Sequence, residues 1–118
     1  MLQAQRWAAL VAVMVGSGCA GTPVPAERLA SAEAGIRAAA EVGAEGVPQA
    51  ALHLKMARDQ VAVARTLVVN GDNDRAALVL SRAETDAELA LALARESAAR
   101  ADASAVLAQI QTLRQQSP

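Results

Sequence analysis

Aromatic residues are almost absent from this sequence: among 118 residues there is no Phe or Tyr, and Trp7 is the single Trp. Cys19 is the one cysteine and His53 the one histidine. One cysteine closes no internal disulfide, and one His with one Cys cannot supply the converging ligands of a typical zinc site. A serine or cysteine nucleophile would have His53 as its sole candidate base. With no aromatic after Trp7 and few β-branched residues, a β-sandwich or barrel is hard to build. An excess of one charge is missing as well. The 11 basic and 12 acidic residues give a formal net charge of -1, which is no electrostatic footprint for nucleic acid. These absences argue against an enzyme, and neither a catalytic residue, a cofactor nor a metal is expected.

Alanine is what the chain has in quantity, at 31 of 118 residues. An apolar content of 53% argues against simple disorder. Helices packed through small side chains are the class that remains, so the expected fold is all-α.

The first nineteen residues carry a separate message. Met1 to Arg6 is polar with one positive charge, Trp7 to Val15 is an unbroken apolar run, and Gly16, Ser17, Gly18 and Cys19 follow. Such a run, at ~1.5 Å per residue, spans about 14 Å against ~30 Å for a bilayer core, which suits an export signal rather than a transmembrane helix. Small residues ending in a cysteine resemble the lipobox of bacterial lipoproteins, with Gly16 at the place usually held by Leu or Val. That resemblance implies a lipoprotein signal peptide over residues 1–18, lipidation of Cys19, and a lipid-anchored tether over residues 19–25 that Pro23 and Pro25 stiffen. Ala20 stands where an Asp would imply retention at the inner membrane, so the implied location is the outer membrane, facing the periplasm. Acylation of that kind exceeds the two-signal threshold for stable membrane attachment.

Residues 26–118 read as one alanine-rich helical domain. A first helix is expected over residues 26–42, with Leu29, Ala32, Ile36 and Ala39 on one face and Glu33 placed to pair with Arg37. Gly35 inside it costs on the order of 1 kcal/mol relative to Ala. Gly43 and Gly46 stop this helix, and Pro48 suits the first turn of a second. There the stripe Ala50, Leu54, Ala57, Val61, Ala64 and Val68 alternates steps of four and three until Asn70-Gly71. Asp72 or Asp74 caps a third helix, whose stripe is Ala76, Leu80, Ala83, Ala87, Ala90 and Ala94. The short connection makes helices two and three an antiparallel pair. Leu52, Met56, Val63 and Leu67, with Leu89, Leu91 and Leu93, are expected to widen the apolar surface. The architecture expected is therefore an antiparallel helical hairpin or three-helix bundle with a long C-terminal helix.

The stripe changes phase near Ser97 to Ser104 and becomes Ala103, Val106, Ile110 and Leu113. A partner serving the first stripe cannot serve the second unchanged. Either the helix breaks at residues 101–104, with Asp102 capping a fourth helix that folds back, or one long helix overhangs the bundle. The lack of Gly or Pro favours the second. In that case Ala103, Val106, Ile110 and Leu113 form a ridge that could meet a protein partner, a second copy or a membrane.

Other constellations have ordinary explanations. His53 is expected as a polar rim residue beside the helix pair. Asp72, Asn73 and Asp74 begin like a calcium loop but lack its glycine and its twelfth-position acid, so capping explains them better. Glu84 and Glu88 belong on a solvated face, and Arg82 with Asp86 and Glu96 with Arg100 are ordinary helix-surface pairs.

Three segments together resemble the domain-of-unknown-function 4398 family of envelope lipoproteins. They are Ala51-Leu52-His53-Leu54-Lys55-Met56-Ala57-Arg58, Val69-Asn70-Gly71-Asp72-Asn73-Asp74-Arg75-Ala76 and Ala83-Glu84-Thr85-Asp86-Ala87-Glu88-Leu89-Ala90, within a resembling stretch of residues 27–95. Asn73 stands where an aromatic often follows the turn aspartate in such proteins. The resemblance implies an envelope location and no established activity. The function expected is a non-enzymatic spacer, adaptor or assembly role, attached to the membrane through Cys19 and without nucleic acid. The alternative is a helical module of the envelope that binds a small molecule or carries a signal.

Overall fold

A computed structural model describes residues 25–117; the expected export signal, Cys19 and most of the expected tether lie outside the described residues. Helix α1 spans Ala26–Glu41, a short 3-10 turn follows at Ala44–Gly46, α2 spans Pro48–Val69 and α3 spans Asn73–Gln116. Among the described residues these are the regular elements, so the fold is all-α: an up-down-up three-helix bundle with a long C-terminal helix.

Local chemistry sets each boundary. The Gly71 N–H donates to Val68 O at 3.0 Å and the Asp72 N–H donates to Leu67 O at 2.9 Å. This pair of bonds closes the end of α2 and requires the left-handed conformation that Gly71 adopts at φ 78. Asp72 then caps α3, its carboxylate accepting from the Arg75 N–H at 3.4 Å. Of the two capping candidates the structure selects Asp72, and Asp74 lies in the first turn. Gly43 ends α1 in the same left-handed conformation, at φ 88. Pro48 opens α2, where its missing N–H is not needed.

The alanine stripes are the core. Ala50, Leu54, Ala57, Val61 and Ala64 of α2 face Ala76, Leu80, Ala83, Ala87, Ala90 and Ala94 of α3, and all are buried. Ala32 and Ala39 of α1 are buried with them, while Leu29 and Ile36 pack at the edge. The core has two centres. One, at the α2–α3 turn, gathers Ala32, Val61, Ala64, Leu80 and Ala83. The other gathers Ala39, Ala44, Ala50, Leu54, Ala90 and Ala94 at the far end. Their composition shows that α1 runs beside α3 in the same direction and against α2.

Gly35 is the contact point between α1 and α3. A Cβ placed on it would stand 3.1 Å from the Ala87 Cβ. The helix-weakening glycine therefore has a packing reason: it lets α1 lie close on the alanine face of α3.

Two expectations are corrected. Glu33 does not pair with Arg37 along α1 but receives Arg65 Nη2 from α2. The extra apolar residues are divided: Leu67, Leu91 and Leu93 are half-buried, whereas Leu52, Met56, Val63 and Leu89 are exposed. On α2, Leu52, Met56 and Val63 lie roughly 120–160° around the helix from the Ala50–Ala64 stripe, where three helices leave no neighbour to cover them.

Candidate partner-binding surface on the C-terminal helix

At 44 residues, α3 is twice the 22 residues of α2. In length that is about 66 Å against about 33 Å. The bundle ends at Ala94, and every residue from Arg95 to Ser117 is exposed. No break occurs at residues 101–104: Asp102 and Ser104 lie inside the helix, and the Ser104 hydroxyl donates to Arg100 O at 2.9 Å. The long-helix alternative is thus the one the chain adopts. The physical reason is local, because Ala-rich sequence adds to an existing helix with one hydrogen bond per residue and no new nucleation step.

Ala103, Val106, Ile110 and Leu113 all lie on this overhang, with Val106 54%, Ile110 40% and Leu113 55% exposed. At about 100° per residue they sit roughly 100–180° around the helix from Ala94, on the side away from α1 and α2. Leu107, 61% exposed, borders the same ridge and escapes the three-four spacing that picks out the others. Glu96 pairs with Arg100 at 2.5 Å as expected.

The flanks of the bundle are held by ion pairs between helices. Arg28 reaches Glu84 at 3.2 Å across α1 and α3, so Glu84 is not simply solvated. Arg58 reaches Glu45 of the 3-10 turn at 2.9 Å. Asp86 is the hub of the α2–α3 flank. His53 Nδ1 donates to its Oδ1 at 2.8 Å and Gln60 Nε2 donates to its Oδ2 at 2.9 Å. The expected Arg82–Asp86 pair is replaced by these bonds, because α2 brings two donors to a carboxylate whose side chain is only 14% exposed. His53 is thereby a bridging residue on the rim of the helix pair. Asp86→Ala strips both donors of their acceptor and is expected to destabilise the bundle by about 1–3 kcal/mol, read as a lower urea midpoint.

Among the described residues no group of three or more His, Cys, Asp or Glu is placed to hold a metal ion. An apolar notch of about 260 Å³ lies at the turn end, lined by Pro25, Leu29, Ala64, Val68, Val69 and Leu80 among others. That is just under the ~300 Å³ lower bound of usual ligand pockets. No described helix is long and apolar enough to cross a membrane.

The chain matches the family described as a domain of unknown function (DUF4398) over residues 27–106. That is most of the chain, and the protein belongs to this family. The matched region takes in α1, α2 and α3 as far as Val106, further than the resembling stretch that ended at residue 95. No curated protein and no solved structure matches the chain.

Proposed function

We propose that this protein is a non-enzymatic, lipid-anchored assembly module of the outer membrane, facing the periplasm. It is held through Cys19 and presents the outer face of its C-terminal helix to a protein. The observation that carries this reading is the exposed ridge of Ala103, Val106, Ile110 and Leu113 on a helix that continues well past its own bundle. Water-exposed apolar ridges of this kind favour association. The arrangement also supports a spacer or adaptor role, because Pro25, at the end of the tether, borders residues at the α2–α3 turn while the overhang leaves from the opposite end. Pro25 and the ridge therefore lie at opposite ends of the bundle.

The reading is tested in intact cells with a photo-crosslinking residue at Ile110, with and without globomycin. A defined protein adduct in the membrane fraction, together with an unprocessed precursor under globomycin, is the expected result. Adducts to lipid alone remove the assembly role, and normal processing under globomycin removes the anchor.

A further inference from the structure

The large exposed apolar residues of α3 are Leu78, Leu89, Val106, Leu107, Ile110 and Leu113. All but Leu107 belong to one series of alternating four- and three-residue steps that runs outside the bundle from the first turns of α3 to its last. The intervening positions are small at Ala92, Ala99 and Ala103, and polar at Arg82, Thr85 and Glu96. Every one of them is exposed. A period of 3.5 over this length is the signature of a left-handed coiled-coil seam. The seam and the buried stripe Ala76 to Ala94 occupy different sides of α3, and Arg82 and Thr85 of the seam border Met56 and Gln60 of α2.

We infer that the occupant of this seam is α3 of a second copy of the chain, running antiparallel. The inference rests on the assembly reading and names its partner. Charge decides the direction. In a parallel, in-register pair Arg82 would face the partner's Arg82 and Glu96 the partner's Glu96 inside the seam, while Arg95 would flank the partner's Arg100. Like charges so placed are destabilising. The antiparallel register that sets Leu89 against the partner's Val106 removes all three conflicts. Ala92 then meets the partner's Ala103, Thr85 the partner's Ile110, and Glu96 the partner's Ala99. At the flank Arg95 comes beside the partner's Asp102, twice by symmetry. Among the described residues neither Arg95 nor Asp102 takes part in an ion pair within its own chain. Residues 82–113, about 48 Å of helix, pair in this register, with Arg82 across from the partner's Leu113 at each end. Two opposed chains carry their tethers at opposite ends. Six residues from Cys19 to Pro25 reach at most about 20 Å, enough for both anchors to enter one membrane with the pair lying along it.

The test uses the full chain in membranes, as two differently tagged variants, Leu89→Cys and Val106→Cys, produced separately and together. Both positions are exposed, so neither substitution disturbs the core. A bismaleimide crosslinker is expected to join the two variants into a mixed dimer. Each variant alone should stay at the background of the unsubstituted chain, which reports any contribution from Cys19. Adding Asp102→Arg to both chains should lower the mixed dimer about tenfold, and adding Arg95→Asp as well should restore it by reversing the flanking pair. Self-crosslinking of Val106→Cys alone means a parallel pair and overturns the inference, as does failure of the charge reversal to restore the dimer. Absence of the mixed dimer, alongside an adduct from Ile110 to a different protein, overturns the second copy and leaves the assembly reading standing.

Discussion

Leu80→Ala is expected to remove about 2–5 kcal/mol of folding stability, measured by urea unfolding followed by circular dichroism. The bundle has little else to lose. Among its fully buried side chains only Leu54 and Leu80 are large, and most of the remaining core is alanine. Leu80 fills the centre at the α2–α3 turn together with Ala32, Val61, Ala64 and Ala83. Ala32, Ala64 and Ala83 cannot rotate into the space that a missing isobutyl group leaves, so a cavity term adds to the lost transfer term. In a small domain with a total stability of about 5–15 kcal/mol the expected loss is a large fraction of the whole. Leu54→Ala, in the other centre, is expected to cost a similar amount, and the two effects should add because the residues belong to separate clusters. A loss below about 1 kcal/mol for Leu80→Ala would mean that the turn end is less tightly packed than its burial indicates.

Gly35→Leu acts by the opposite route, through too much volume. The hypothetical Cβ at Gly35 is already 3.1 Å from the Ala87 Cβ, an atom held directly by the α3 backbone with no rotamer to escape into. A leucine there forces α1 away from α3. The expected loss is about 1–3 kcal/mol, with a smaller urea slope if α1 comes off before the α2–α3 pair unfolds. Leucine is a better helix former than glycine by nearly 1 kcal/mol, so propensity alone predicts stabilisation. The sign of the measured change therefore separates packing from propensity. Ala87→Gly combined with Gly35→Leu should recover part of the loss, since it removes the atom that collides.

Much of this arrangement is legible in residue order because the core is made by periodicity. Each position of the Ala76–Ala94 stripe is buried, as is each of the Ala50–Val68 stripe except Val68, which is half-buried at the end of α2. Gly43, Pro48, Gly71 and Asp72 act at their boundaries through backbone requirements that belong to the residue types themselves. The candidate surface was legible for the same reason, from the phase change before Ala103. Pairing across helices was not. His53, Gln60 and Asp86 lie far apart in the chain, and nothing in their spacing announces that α2 delivers two donors to one carboxylate. Leu107 was missed because it borders the ridge without sharing its period.

What the sequence determined by itself is the all-helical class, the stripes each helix buries and the residues at which helices start and stop, because these depend on side-chain period and local backbone preference. Only the tertiary structure decided what lies between and beyond the helices. It placed α1 on the alanine face of α3 through Gly35, and replaced the Glu33–Arg37 and Arg82–Asp86 pairs with bonds across helices. It also left Leu78 and Leu89 exposed on the side that bears Val106, Ile110 and Leu113. The physical reason is that a helix presents several faces to a neighbour, and which of them is covered depends on where the other helices pack.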